Sequence, residues 1–221
     1  MSKIFIPEAI LLDSVKKFIK FVATNFKSKV NENETWLYKV LVGTQKIDRY
    51  EIYQEAKQLF IAGYDDPKKL AINLGFNPSV QGLPSIHITL PSEQQKNTSL
   101  GNGEGIGASF DNGAANTYQV SYSRRFEATY YVMVSGTNTL QVVTIYHVLR
   151  ALFISLRHHL EIAGLENTSF SGRDIQFNPD TIPQGLFVRG IGIKFEYDTG
   201  AYDIQELPFI KDLNFSGKAV D

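Results

Sequence analysis

Apolar and polar residues alternate strictly from Tyr118 to Val134. Arg124 is the only even-numbered position that interrupts the apolar series, which consists of Tyr118, Val120, Tyr122, Phe126, Ala128, Tyr130, Val132 and Val134. Successive strand side chains point to opposite faces, so the alternation predicts one long strand with one buried face. Strands usually have about 5–6 residues, so a strand of about 17 is expected to project beyond an ordinary sheet or to bend within it.

The stretch from Thr139 to Ala163 has helical spacing but is apolar over most of its circumference. Asn138, followed three residues later by Gln141, resembles a capping box, and Gly164 is placed to end the helix. A helix that is apolar on most sides needs neighbours on most sides. Together with the long strand, this helix indicates a subunit of a larger assembly.

The first 91 residues contain shorter patterns. Residues 8–27 predict an amphipathic helix with lysines on its outer face. The apolar run Trp36–Val42 cannot be assigned from periodicity, and we favour a strand that ends at Gly43. A helix is predicted from Asp48, as its cap, to Gly63. Two further elements are a helix from Pro67 to Leu74 and a strand within Leu83–Pro91, which has a proline at each end.

Residues 92–116 are rich in Gly, Asn and Ser and predict a flexible loop. Two more strands are predicted within Ser169–Phe177 and Leu186–Asp198, and residues 199–221 form a C-terminal arm that is apolar but aperiodic. The simplest way to bury the apolar faces of these helices and strands is to pack them together in a single α+β domain. Its sheet is mixed or mainly antiparallel, has a long central strand, and is covered by the N-terminal helix and by the long helix of the C-terminal half.

Composition excludes several classes of function. With 22 Lys and Arg against 23 Asp and Glu, the net charge is −1, so the chain lacks the basic surface expected of a protein that binds nucleic acid directly and sequence-specifically. The absence of cysteine excludes disulfides and thiolate metal sites. No segment approaches the ~20 uninterrupted apolar residues of a membrane span. We expect a soluble protein, cytosolic when made, that uses no cofactor and no membrane.

Two motifs suggest chemistry but fit it poorly. The glycines of residues 101–107 resemble a phosphate-binding loop, yet the sequence that follows leads into a strand and not into a helix. His147, His158 and His159 lack the i, i+4 histidine spacing of a zinc helix. No nucleophile motif is present either, so we expect no enzymatic activity. A soluble ligand-binding or nucleotide-binding protein that uses residues 101–107 remains the alternative.

Arg124 and Arg125 lie within the long strand, and one of them is expected to point toward its apolar side. A charge there is costly unless it is paired. One interpretation is a bulge, or a part of the strand that has left the core. The other is a salt bridge between subunits, with Glu127 or Asp198 of a neighbouring copy.

The order of elements from residue 117 to residue 198 resembles the tail-terminator and neck proteins of tailed bacteriophages. The resemblance rests on the strand Tyr118–Val134, on the helical sequence from Thr144 to Leu160, and on the strand from Phe187 to Tyr197. Residues 36–116 are longer than a minimal terminator needs and are interpreted as an elaboration. The C-terminal arm is a further addition.

This resemblance implies a homo-oligomeric ring, commonly a hexamer, at the head–tail junction of the virion. Such a ring caps the tail tube and joins it to the neck or connector proteins. The subunit would be a structural protein, made in the host cytoplasm and then built into the particle. The candidate residues for contacts between subunits are Arg124, Arg125, Glu127, Tyr131, Arg150, Arg157 and Arg189.

Overall fold

The computed structural model describes residues 5–43, 46–47, 50–62, 70–76, 84–96, 107–110, 118–174 and 185–205. Within these residues the chain has the predicted α+β class, with helices packed on a mixed sheet. The helices are α1 (Pro7–Ser28), α2 (Trp36–Leu41), α3 (Ile52–Lys57), α4 (Thr139–Ser155) and α5 (Arg157–Ile162). A 3₁₀ turn (Glu32–Glu34) precedes α2, and a π-helical turn (Gln58–Ala62) continues α3.

The strands are β1 (Lys46–Ile47), β2 (Tyr50–Glu51), β3 (Ala71–Leu74), β4 (Ser85–Gln95), β5 (Gly107–Phe110), β6 (Tyr118–Gly136), β7 (Glu166–Asp174) and β8 (Phe187–Gln205). The small pair β1–β2 is antiparallel. The main sheet has the order β3-β4-β6-β8-β7, and β5 also pairs with β6. The pair β3–β4 is parallel, whereas β5–β6 and β7–β8 are antiparallel. The sheet is therefore mixed, with β6 at its centre.

The long strand is confirmed, because β6 runs for 19 residues. Its even-numbered side chains are buried as predicted, with Ala128, Tyr130, Val132 and Val134 at most 1% exposed, and Met133 and Ser135 on the other face are buried as well. Tyr130 stacks on Phe195 of β8 at 5.4 Å between ring centroids, and its hydroxyl donates to Glu8 Oε1 of α1 at 2.7 Å. The even-numbered face of β6 is thus the face that α1 covers.

The helices complete this core through aromatic and aliphatic side chains. Phe153 of α4 meets Phe18 of α1 edge-on at 5.6 Å and Phe170 of β7 at 5.9 Å between ring centroids. Ile145, Leu149 and Leu152 of α4 have no exposed surface. The apolar width of α4 is therefore used inside the second unit, on the side that faces α1 and the sheet.

The predicted long helix is divided at Leu156, which ends α4 and precedes α5. Its predicted start is confirmed, since Asn138 Oδ1 accepts from the backbone N–H groups of Leu140 and Gln141. In a capping box the Gln141 side chain would bond back to the backbone N–H of Asn138. Here Gln141 Nε2 instead donates to Glu55 Oε1 of α3 at 2.8 Å. Gly164 has φ 97° and terminates α5 as predicted.

Two predictions of element type were wrong. Trp36–Val42 is not a strand, because Thr35 Oγ1 caps a helical turn by accepting from Tyr38 N at 3.3 Å. Leu37 and Leu41 of this turn are both buried. The helix predicted from Pro67 to Leu74 is also wrong where it is described, since residues 71–74 form β3 and pair with residues 85–88 of β4. Pairing with a distant strand overrides the local helix signal there. Residues 67–69 lie outside the described residues.

The bounds of several other elements differ from the prediction. The helix predicted from Asp48 begins at Ile52, with Glu51 as its N-cap residue, and Asp48 itself lies outside the described residues. Residues 92–95 belong to β4 and residues 107–110 to β5, so these parts of the predicted loop 92–116 are strands. Residues 199–205 of the predicted arm extend β8, and residues 206–221 lie outside the described residues.

The chain separates into two compact units. The first unit contains residues 1–5, 95–125 and 198–221, and the second contains residues 6–94 and 126–197. The helices and the aromatic core belong to the second unit. In the described part of the first unit, Lys96 N donates to Arg125 O at 3.0 Å, and Phe5 N donates to Thr199 Oγ1 at 3.4 Å. The expectation of a single domain stays a prediction.

Two substitutions on α4 separate its buried and exposed sides. Leu152 has no exposed surface and Ile154 is 57% exposed. We expect Leu152→Asp to lower the free energy of unfolding by more than about 4 kcal/mol, because it removes a packed side chain and buries a charge. Ile154→Asp is expected to change it by less than about 0.5 kcal/mol.

The measurement is urea denaturation followed by circular dichroism. Similar losses of stability in the two variants would contradict the assignment of Leu152 to the core and of Ile154 to the surface.

Candidate functional site

The second unit carries an apolar groove on the outer side of α4, of about 430 Å³. We call it the α4 groove. Its described lining comes from α2, the first residue of α3 and one row of α4: Val40, Leu41, Ile52, Val143, Thr144, His147, Arg150, Ala151 and Ile154. Ile154 remains 57% exposed. The groove therefore presents apolar surface that the described part of the chain leaves accessible.

Contacts between α2, α3 and the preceding turn hold the wall of this groove in place. Lys57 Nζ lies 2.5 Å from Glu32 Oε1, and Tyr53 Oη donates to Glu32 Oε2 at 3.1 Å. Burial, followed by the hydrogen bond to Glu32, raises the pKa of Tyr53 to about 12, so its hydroxyl stays protonated. The hydrogen bond from Lys57 lowers the pKa of Glu32, which keeps this carboxylate charged.

The charge of the α4 groove is positive. Arg150 lies in the middle of the α4 row, between Val143 on one side and Ile154 on the other. Among the described lining residues no carboxylate balances this charge. Burial lowers the pKa of His147, and the charges of Arg189 and Arg150 lower it further. His147 is therefore neutral at pH 7, and Arg150 is the formal charge of the described lining.

A second groove, of about 420 Å³, lies between α1 and the α4–α5 junction. Its lining includes Phe21, which is 37% exposed, and Ile162, which is 70% exposed. Unlike the α4 groove it carries both signs of charge, because Lys17 Nζ and Asp13 Oδ2 form an ion pair at 2.6 Å. The helical surface of the second unit thus has two apolar depressions of different charge.

Arg189 of β8 links β8 to Asp174 at the end of β7 and to Tyr146 of α4. Its guanidinium donates to both carboxylate oxygens of Asp174, at 2.5 Å and 3.1 Å, and lies 5.1 Å from the centre of the Tyr146 ring. The hydrogen bond from Arg189 lowers the pKa of Asp174. The Tyr146 hydroxyl sits against Gly172 of β7, where an added Cβ would overlap it. This close approach requires glycine at position 172.

The opposite face of the sheet is polar toward one end. Lys194 Nζ pairs with Glu127 Oε1 at 2.9 Å, and Gln94 Nε2 donates to the same oxygen at 3.1 Å. These contacts lower the pKa of Glu127, the hydrogen bond from Lys194 most. Tyr131, also on this face of β6, has the Arg173 guanidinium 4.4 Å from its ring centre. The odd-numbered side chains of β6 therefore engage β4, β7 and β8.

The structure brings only some of the predicted interface residues together. Arg150 and Arg189 both act on His147, whereas Arg157 forms an i, i+4 pair with Glu161 at 2.9 Å. In the first unit, Arg125 Nε lies 3.3 Å from Asp198 Oδ1 of its own chain, and Arg124 is partly buried. A role of these residues between subunits stays a prediction. The α2 side of the groove could not be predicted, because the pattern of Trp36–Val42 favoured a strand.

A buried polar cluster was also missed. His87 Nε2 lies 2.9 Å from Ser85 Oγ and 3.1 Å from Ser135 Oγ, and its Nδ1 lies 3.3 Å from Gly75 O. Donation from Nδ1 to the carbonyl leaves Nε2 to accept from one serine, while the two serine hydroxyls, 2.8 Å apart, share a further hydrogen bond. A Ser–His pair suggests a nucleophile, but His87 is 1% exposed, so its ring is packed inside the protein. The i, i+2 spacing of Ser85 and His87 indicates one face of a strand, whereas Ser135 is too distant in sequence to be predicted.

The remaining candidates for chemistry gain no support. Within the described residues, no group of three or more His, Asp or Glu side chains is arranged to hold a metal ion. Residues 101–106 of the glycine-rich motif lie outside the described residues, and Gly107 begins β5. A search of the described residues finds no helix that is both long enough and apolar enough to span a membrane.

The chain matches no protein-family model, and no curated protein is significantly similar to it.

The close approach of Tyr146 to Gly172 can be tested by a double-mutant cycle. We expect Gly172→Ala to lower the free energy of unfolding by about 1–3 kcal/mol, because the added methyl group forces the tyrosine to move. In a Tyr146→Phe background, which lacks the hydroxyl, the same substitution should cost less by about 1 kcal/mol or more. Urea denaturation of the four proteins gives the coupling, and additive effects would contradict the contact.

The His87 cluster predicts a pH dependence of stability. Burial lowers the pKa of His87 in the folded protein below its usual value, against the opposing hydrogen bond to Gly75 O. The folded state therefore binds fewer protons than the unfolded state near that value. The resulting stability is fully present above about pH 6.5 and is lost as the pH falls through the folded-state pKa.

We expect the free energy of unfolding to decrease between about pH 7.5 and 5.5, and to decrease less in His87→Gln. His147→Gln is the matched comparison, because the pKa of His147 is lowered in the same direction but its side chain is exposed, so its removal should flatten the dependence less. Equal slopes for the wild type and His87→Gln would contradict the assignment.

Proposed function

We propose that this protein is a structural, non-enzymatic virion protein that forms a homo-oligomeric ring at the head–tail junction of a tailed bacteriophage. The basis is the resemblance of residues 117–198 to tail-terminator and neck proteins. The ring caps the tail tube and joins it to the connector. It is hexameric, the common number for such rings, and is made in the host cytoplasm before it enters the particle.

The observation that carries the proposal is the apolar surface of α4 and α5 that faces away from the core. Ile154 is 57% exposed and Ile162 is 70% exposed, and each lines a separate groove. Exposed apolar patches with polar rims are typical of surfaces that bind other proteins. The outer side of a helix that is already packed on its inner side is available for a neighbouring subunit.

The different chemistry of the two grooves supports a ring over a simple two-fold dimer. A two-fold contact uses the same patch on both subunits, whereas a ring is closed by two different patches. The α4 groove is apolar with Arg150 at its middle, and the second groove contains the pair Lys17–Asp13. Surfaces that differ in this way suit different partners on the two sides of a subunit.

The ion pairs on the surface are expected to contribute more to the specificity of binding between subunits than to its affinity. Arg157–Glu161 and Arg189–Asp174 are formed within one subunit, and exposed pairs of this kind contribute about 0–1 kcal/mol each. They keep the surface charged at α5 and at the strand pair β7–β8. This arrangement favours a correct docking direction over nonspecific association.

The test is the location of the protein in purified phage particles that encode it. Mass spectrometry of intact virions and electron microscopy of the head–tail junction are expected to find it as a ring between tube and connector. A nonsense mutation in its gene should yield separate heads and tails, or tails of uncontrolled length. Particles that lack the protein would refute the proposal, even if the purified chain forms rings.

A further inference from the structure

The main sheet ends in two edge strands of different character. Among the described strands, β3 and β7 stand at the two ends of the strand order. β3 has only four residues, a length that limits pairing with another chain. β7 has nine residues, and its pairing with β8 is regular from Ser169 to Asp174. β7 is therefore the edge to which a further strand can be added.

The regular part of β7 is accessible. From Ser169 to Asp174 every residue is exposed except Phe170, which is partly buried. In the described part of the chain, β8 is the only strand that pairs with β7. The backbone N–H and C=O groups on the outer side of an edge strand can pair with a strand of another chain.

β7 lacks the usual protections of an edge strand. It contains no lysine and no proline, and its register shift lies at its start, before Ser169. The charged side chains of the regular part are engaged within the same sheet. The Arg173 guanidinium lies 4.4 Å from the centre of the Tyr131 ring, and Asp174 accepts from Arg189. Neither charge is left to repel an approaching strand.

The regular part of β7 is complementary to a second copy of itself. In an antiparallel pair with a two-fold axis at Ser171, Phe170 lies opposite Gly172 of the second copy. Both positions are on the face of the sheet that α4 covers, since Phe170 packs on Phe153 and Gly172 contacts Tyr146. An aromatic side chain opposite a glycine on an edge strand covers the space that the glycine leaves.

The charges select the same register. With the axis at Ser171, Arg173 lies opposite the neutral Ser169 of the second copy, so like charges do not face each other. An axis at Phe170 would instead place Glu166 opposite Asp174 of the second copy, and like charges directly opposite each other destabilise a strand pair.

We infer that β7 pairs antiparallel with β7 of a second copy in solution, about a two-fold axis at Ser171, and thereby joins two main sheets into one. A two-fold contact uses the same patch on both copies, which a single edge strand provides. The inference goes beyond the proposed ring and does not rest on it, because β7 contributes no residue to the described lining of either groove. A short strand pair is smaller than the standard interface of about 1,200–2,000 Å², so the dimer is expected to be reversible.

The absence of cysteine from the chain permits a direct test in the full-length protein. Ser171→Cys places two thiols opposite each other at the axis, where paired Cα atoms are about 4.5–5.5 Å apart, a separation that a disulfide spans. Under mild oxidation we expect a disulfide-linked dimer to form at least tenfold faster than in Ser28→Cys, a control at an exposed serine that ends α1. Ser169→Cys tests the register, because its two copies would lie about 13 Å apart along the strands and should link no faster than the control.

A charge exchange at the axis tests the contact without a covalent bond. In sedimentation equilibrium we expect the wild type to associate reversibly and Ser171→Lys to associate at least tenfold more weakly, because like charges meet at the axis. An equimolar mixture of Ser171→Lys and Ser171→Glu should restore the association, which excludes unfolding as the cause of the loss. Ser28→Lys is the matched control and should associate like the wild type.

Three results would overturn the inference. Linking of Ser171→Cys no faster than of Ser28→Cys would remove the contact, and fast linking of Ser169→Cys would remove the register. Linking of Ser171→Cys to a different protein in a lysate, without a homodimer of the purified chain, would assign the edge to a foreign strand. Dimers of a protein that is absent from virions would support the strand pair and reject only the proposed location.

Discussion

Burial of the even-numbered face of β6 is the constraint on which the second unit depends. Tyr130 occupies the middle of this face, where it stacks on Phe195 and donates to Glu8 of α1. Burial, and then the hydrogen bond to this carboxylate, raises the pKa of Tyr130, so the hydroxyl stays a donor. One side chain therefore joins the central strand, its neighbour β8 and the first helix.

The outer surface follows from this inner packing. Because the side of α4 that carries Leu149, Leu152 and Phe153 is buried, the row with Arg150 and Ile154 is directed to the opposite side. On that side, residues of α2 and α3 lie next to this row of α4, and together they line the groove. The helix thus has an inner apolar side that stabilises the second unit and an outer apolar side that stays accessible.

Local patterns predicted the elements whose burial is regular. The period of two in β6, the period of α1, the Asn138 cap and the termination at Gly164 all appear in the structure. Short apolar runs were less informative, since Trp36–Val42 and Ala71–Leu74 took the opposite type of structure. Their conformation is decided by a single cap at Thr35 in one case and by pairing with β4 in the other. The groove could not be predicted for the same reason, because one of its walls is α2.

The hydrogen bond between Tyr130 and Glu8 joins residues 122 positions apart in the chain. Contacts of such long sequence separation form late, because the intervening chain must lose its conformational freedom first. During synthesis, α1 leaves the ribosome well before β6 and β8 exist to cover it. Its apolar side, with Leu11, Val15 and Phe18, is therefore without its native cover on the nascent chain. Uncovered apolar surface of this kind promotes aggregation of partly folded chains.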